Sequence, residues 1–395
     1  MGLPTALLLA KGGFRVKGYD IDTDKIQLLQ NHILPFEEKG LETLFQEASK
    51  NFSVSEILEP SDVFIITVPT PLSDDKSCEM SYINSAIQKV KHVLRDGNLV
   101  VLESTVSPGT TTSIVKPILD ETQKQYLLSY VSEKAIPGNT IYEMQHNHRI
   151  IGGIDQESAE KTKEIYAHFV ESPIHLTDTT TAETVKLLEN TYRDVNIALA
   201  NEIAKRLAIQ NIDAWEAIRL ANFHPRVNLH QPGPGVGGHC IPIDPWFLSS
   251  DDTPLMKQSR IINDSMPRYV VGLAESLIKE KKNPIVVLLG VSYKGDVDDD
   301  RESPSYTIKK ICEQKEMKVR LYDPNIKGNP EVLTDLSIAT KDADCLILIT
   351  DHSIFPDIDP LSITNMCQKN IVDTRDMIDS EKWSDAGFNV KVLGT

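Results

Sequence analysis

The chain has 395 residues and a formal net charge of −16, with 40% hydrophobic and 25% charged residues. That length exceeds one ordinary core and implies roughly two or three domains of a globular protein. The acidic balance argues against nucleic acid and against a generally basic membrane-binding surface, so an anionic ligand needs a local cluster of Lys and Arg. The cysteines (Cys78, Cys240, Cys312, Cys345, Cys367) are scattered without metal-ligand spacing and read as reduced thiols. Apolar runs such as 285–291 are far short of a membrane span, and no basic segment precedes the apolar residues 7–10 as a signal peptide requires. The chain therefore reads as cytoplasmic.

The first part alternates strands and helices. Residues 15–19 form a short strand ending at Asp20, and VFIITV (63–68) and LVVL (99–102) are continuous apolar runs of the buried parallel-sheet kind. Residues 126–131 and 149–154 follow, with a helical pattern at 82–94 between earlier strands. This is the βαβ alternation of a doubly wound domain. From about residue 180 the pattern changes: 182–209 has helical spacing without Pro or Gly, and 214–221 is a second helix. A Gly/Pro-rich loop occupies 231–245. Alternation resumes with strands at 285–291, 319–322, 345–350 and 370–373. The expected fold is α/β, with two Rossmann-like doubly wound domains joined by a helical middle domain, divided at 1–175, 176–270 and 271–395.

Two places carry chemistry. The acidic residue at the end of the strand in GYDID (18–22) suits the ribose hydroxyls of NAD and repels the extra phosphate of NADP; a surface Asp at a strand end is the competing reading of Asp20. VPTP (68–71) and EST (103–105) end later strands, where ligands of such sheets bind. A dinucleotide fold also needs a first strand and then G-x-G-x-x-G. Here the chain opens MGLPTA, so Gly2 matches the third glycine while the first strand and first two glycines are missing. Their loss is expected to leave unpaired strand edges. The second place is QPGPGVGGHCIPIDPW (231–246), where glycines that allow close backbone approach lead directly into Cys240, with Asp244 four residues on. A lone cysteine is more often a buried apolar residue than a nucleophile; the constrained loop upstream reverses that preference.

GPGVGGHC followed by DPWF resembles the nucleophile loop of the UDP-glucose/GDP-mannose dehydrogenase family, as do TAETVKLLEN (181–190) with YRDVNIA (192–198), and SYKGDVDDDRESP (292–304). RLANFHPRVN (219–228) and DHSIF (351–355) most resemble the branch acting on UDP-N-acetylmannosamine. The resemblance implies NAD-dependent oxidation of a sugar CH2OH to a carboxylate, with UDP-N-acetylglucosamine or UDP-glucose as rival substrates. It implies Cys240 as nucleophile, forming a thiohemiacetal and then a thioester. Lys186 and Asn190 would stabilise the alkoxide and oxyanion, the alternative being a solvated helix face. Asp244 would hold a water and, with Lys186, deprotonate the alcohol. Glu133 would drive thioester hydrolysis with Thr105 holding the water, against the plain reading of an exposed strand-end acid.

The resemblance further implies NAD contacts from Gly2, Asp20, Pro69, Thr70, Thr105 and Arg301, and nucleotide-sugar contacts from Lys134, Lys186, Arg226, Gly237 and Lys294. Lys134 stands where the family has arginine. Lys294 and Arg301 could equally be salt-bridged to Asp298, Asp299 or Asp300. His224 and His239 lack metal-site partners, so no metal is implied. A homodimer or larger homo-oligomer is expected. The rival from another class is an inactive nucleotide-sugar-binding protein, because most of the phosphate loop is missing.

Overall fold

A computed structural model describes residues 1–278 and 281–395. The chain divides into two compact units, 1–189 with 246–248, and 190–245 with 249–395.

In the first unit the strands are β1 (Val16–Tyr19), β2 (Phe52–Ser55), β3 (Val63–Ile66), β4 (Leu99–Leu102), β5 (Leu127–Ser132), β6 (Arg149–Gly153) and β7 (Ile174–Asp178). β1 and β2 form a two-stranded parallel sheet, and the other five are ordered β3-β4-β5-β6-β7. All pairings in the larger sheet are parallel except β5 with β6. Both faces of the sheet are covered, as a doubly wound fold requires. Leu99 and Val101 point into one core with Leu7, Leu8 and Tyr166; Val100 and Leu102 point into the other with Ile83, Ile87 and Leu119.

The second unit contains β8 (Ile285–Leu289), β9 (Lys318–Tyr322), β10 (Val332–Leu333), β11 (Cys345–Leu348), β12 (Asn370–Asp373) and β13 (Asn389–Val392). Their order, β10-β9-β8-β11-β12-β13, is all parallel and is the Rossmann order, in which ligands bind beyond the carboxyl ends of the two central strands. Those strands are β8 and β11. The segments leaving them are the SYKGD and DHSIF stretches.

The helices Thr179–Ala208 and Ala214–Ala221 stand where the 3.6-residue spacing puts them. Asp213 caps the second by accepting from the amides of Trp215 and Glu216. The glycine loop gives way at Asp244 to the short helix Asp244–Leu248. A further helix, Pro254–Leu277, has no counterpart in the sequence reading. Among the described residues no helix is long and apolar enough to cross a membrane.

Candidate active site

In the first unit the candidate positions gather at the ends of strands. The helix Gly2–Lys11 begins against the segment leaving β3: a Cβ on Gly2 would come 2.4 Å from Thr67 Oγ1, so only glycine lets helix and strand approach this closely. Asp20 is exposed just beyond β1, and its Oδ1 accepts from the amide of Asp22 at 3.0 Å. Pro69 is exposed and Thr70 half-buried beyond β3, and Thr105 is half-buried beyond β4. A helix N-terminus tight on a sheet and a carboxylate at a strand end fit a dinucleotide.

Glu133 is buried, unlike the exposed strand-end acid that was the plain alternative. Its Oε1 accepts from the amides of Lys134 and Ala135, each at 2.6 Å, and its Oε2 accepts from Arg149 Nη1 at 2.5 Å. Burial works to raise its pKa, but Arg149 and the two amides hold the carboxyl below its ordinary value. Lys134 is ion-paired with Glu189. Lys186 is buried on the helix Thr179–Ala208, rather than on a solvated face. Near the start of that helix, Glu183 accepts from the amides of Gly109 (2.5 Å) and Thr111 (2.8 Å) and from Thr111 Oγ1 (2.6 Å). It thereby caps the helical stretch that follows β4.

In the second unit Cys240 is exposed at the end of the glycine loop. The amides of Ile243 and Asp244 turn back onto its carbonyl, at 3.1 and 2.8 Å. Asp244 is buried, and its Oδ2 accepts from Asn190 Nδ2 at 2.6 Å. That bond ties the Asp244 carboxylate to the long helix. Gly238 has φ +85° and a Cβ there would come within 3.0 Å of the Tyr293 ring; one on Gly237 would come 2.8 Å from the carbonyl of Glu302. The glycines therefore let the loop lie flat on the segment leaving β8. Burial, with help from Asp299 and then Cys240, pushes the Tyr293 hydroxyl up to about 12, so it stays a neutral donor. His239 is held below its ordinary pKa, first by burial and then by Arg301.

The loop cations differ in state. Arg301 grips Asp299 through Nε–H (2.7 Å) and Nη2 (2.6 Å), the salt-bridged alternative raised for it. Lys294 is half-buried, and Arg226 is exposed, its amide donating to His224 Nδ1 at 3.3 Å. Beneath this segment the buried His352 pairs Nε2 with Asp323 Oδ2 at 2.9 Å, while its Nδ1 accepts from the amide of Asp296 at 3.0 Å.

Several contributors escaped the sequence reading. Arg149 sits sixteen residues from the glutamate it holds. A buried relay runs from Arg260 and Asp194 through Asn263 and Asn201 to the glycine loop. Asn263 Nδ2 donates to Asp194 Oδ1 (2.8 Å), Asn201 Nδ2 to Asn263 Oδ1 (2.9 Å), and the Gly233 amide to Asn201 Oδ1 (2.8 Å). Asp194 lies within YRDVNIA (192–198), a motif of the family, but its partners are too distant in sequence to be named from it.

Residues 1–170 match the NAD binding domain of the UDP-glucose/GDP-mannose dehydrogenase family, 180–266 its central domain and 287–380 its UDP binding domain. The chain is 45% identical to a UDP-N-acetyl-D-mannosamine dehydrogenase of Methanococcus aeolicus, across 100% of this chain and 93% of that protein. A protein of the same name from Methanocaldococcus jannaschii is 43% identical, over 100% and 94%. The structure of the Pyrococcus horikoshii UDP-D-ManNAc dehydrogenase superposes with a TM-score of 0.93 at 36% identity, covering 100% of this chain and 96% of that one. The Staphylococcus aureus UDP-N-acetyl-mannosamine dehydrogenase Cap5O gives 0.91 at 40%, with the same coverage. The chain thus belongs to the UDP-glucose/GDP-mannose dehydrogenase family and is an NAD-dependent dehydrogenase of nucleotide sugars.

Proposed function

We propose that the chain oxidises UDP-N-acetyl-D-mannosamine at C6 to the uronate, as a cytoplasmic homodimer or larger homo-oligomer that feeds polysaccharide synthesis. The observation that carries the substrate is similarity along the whole chain to proteins named for that activity. The regions are 1–175 for NAD, 176–270 for dimerisation and 271–395 for the nucleotide sugar. Exposed Tyr192, Leu199, Leu220 and Ile261 on helices of the second unit, with Phe223 in the turn after Ala214–Ala221, support self-association; Phe223 is 74% exposed.

Gly2, Asp20, Pro69, Thr70, Thr105 and Arg301 would hold NAD, which when bound would supply the hydride acceptor for each of two oxidations. Lys186 and Asp244 take the proton of the sugar alcohol as the first hydride leaves. The Cys240 thiolate then attacks the aldehyde carbon, and the thiohemiacetal keeps the substrate covalently held while the cofactor exchanges. Lys186 and Asn190 stabilise the alkoxide and the oxyanion. Loss of the second hydride leaves a thioester, which a water placed by Thr105 and deprotonated by Glu133 hydrolyses. Lys134, Lys186, Arg226, Gly237 and Lys294 bind the nucleotide sugar. The neutral Tyr293 and the Asn190–Asp244 bond support a thiol loop of fixed shape.

The test is NADH formed per sugar consumed, with Cys240→Ala alongside and with UDP-glucose and UDP-N-acetylglucosamine in parallel. Two NADH per UDP-N-acetylmannosamine, absent from the variant and from the other sugars, is expected. Equal turnover of all three sugars overturns the specificity. UDP binding without NADH from any sugar makes the chain a binder.

A further inference from the structure

The C-terminal ends of β4 and β5 enclose a buried charge cluster that the chemistry above does not use in full. Glu103 follows β4 by one residue, Glu133 follows β5 by one, and Arg149 opens β6. Because β6 runs antiparallel to β5, with Ile150 opposite Ser132, its first residue lies where β4 and β5 deliver their last. A parallel β6 would carry Arg149 to the opposite edge.

Each carboxylate oxygen offers two lone pairs. The amides of Lys134 and Ala135 occupy Oε1 of Glu133, and Arg149 Nη1 takes one site on Oε2. Arg149 is itself fixed, with Nη1 donating to the Ser132 carbonyl at 3.2 Å and Nη2 to the Met144 carbonyl at 3.0 Å. We propose that Arg149 is a positioning residue for thioester hydrolysis, orienting Glu133 so that the remaining lone pair of Oε2 accepts the proton of the hydrolytic water. This rests on the reading of Glu133 as the hydrolytic base. In the step, the water oxygen bonds to the thioester carbonyl carbon as its proton passes to Oε2. The C–S bond then breaks, its electron pair leaves on Cys240 Sγ, and the proton is released to solvent.

The groups facing Glu133 are Arg149 from β6, Glu103 beyond β4, Tyr166 from the helix Gln156–Tyr166, and Lys134 on its own segment, paired with Glu189. Arg149 is thus the cation that keeps the base ionised inside a cluster holding a second carboxyl.

The experiment uses the full chain with NAD and UDP-N-acetylmannosamine and compares Arg149→Met, Arg149→Lys and Glu133→Gln. Acid-quenched enzyme is weighed intact, and kcat is followed from about pH 5 to 9. Arg149→Met should form NADH in its first turnover at the normal rate, then turn over about 100-fold more slowly with an acyl adduct on Cys240. Its acid limb of kcat should move to higher pH, because Glu133 has lost its cation. Arg149→Lys keeps the charge but not the fork, so the limb should stay while the adduct still accumulates. A first turnover slowed as much as the rest, without adduct or limb shift, overturns the proposal. If Arg149→Met does not fold, Arg149→Lys decides: an adduct supports the proposal, and normal turnover without one overturns it. No adduct in Glu133→Gln overturns the reading of Glu133 itself; an adduct there with normal behaviour of the Arg149 variants overturns only the role of Arg149.

Discussion

Glu103→Gln tests the electrostatics of the buried cluster through stability alone. Glu103 is only 5% exposed; its Oε1 accepts from Tyr166 Oη at 3.2 Å and its Oε2 from Thr5 Oγ1 at 3.3 Å. Burial, then the charge of Glu133, pushes its carboxyl from 4.5 up to about 7, with Arg149 and the Tyr166 bond pulling the other way. A folded pKa above the unfolded one favours the fold while the group is protonated. That contribution is whole below 4.5 and is lost as pH rises through about 7. The full difference is about 3 kcal/mol. Glutamine keeps the shape and stays neutral, so the variant should melt with the parent at about pH 4 and be more stable by up to about 3 kcal/mol at about pH 8.5. For a domain of this size each kcal/mol moves a melting midpoint by roughly 2–4 °C. Circular-dichroism melts at the two pH values read this directly. A shift of the same size at both pH values, or a less stable variant at the higher one, refutes the assignment of the proton to Glu103.

Asn263→Ala should cost about 2–4 kcal/mol in denaturant unfolding, because it leaves the Asn201 amide and a lone pair of Asp194 without partners in a dry interior. Since Asn201 also accepts the Gly233 amide, kcat should fall more than KM rises. In Asp323, burial opposes ionisation, but His352 and the amides of Ser292 and Val291 prevail and bring the carboxyl from 3.8 down to about 2. The resulting stability, about 2 kcal/mol, is whole above 3.8 and disappears as pH falls through about 2. Asp323→Asn should therefore be less stable than the parent at neutral pH and converge with it toward pH 2, as followed by denaturant midpoints across that range.

What the sequence disclosed and what it withheld divide along one physical line. Periodicity reports a residue's own burial, so the helix Ala214–Ala221 and the strand β12 fall where the apolar pattern puts them. The helix Pro254–Leu277 was hidden because Pro267 lies inside it and Ser259, Arg260 and Asn263 occupy its buried face. The N-terminal half of its core-facing pattern is polar because Arg260 and Asn263 bond to the helix Thr179–Ala208, sixty-odd residues away, while Ser259 turns back onto the Leu255 carbonyl of its own helix. The glycine-rich loop before Cys240 was legible because glycine and proline state their backbone demands locally. Its floor, the Tyr293 ring, was not, since an aromatic residue in a known motif does not announce what it faces. Arg149 is the sharpest case. It reads as the ordinary charged start of a strand, and only the reversed direction of β6 turns it inward onto Glu133. A charge buried at a strand end violates the local rule that charges stay wet, and a fold keeps such a violation where something else requires it. Here the requirement is an ionised glutamate in a dry cluster that already holds a second carboxyl, which neither strand could supply without a cation delivered from the third.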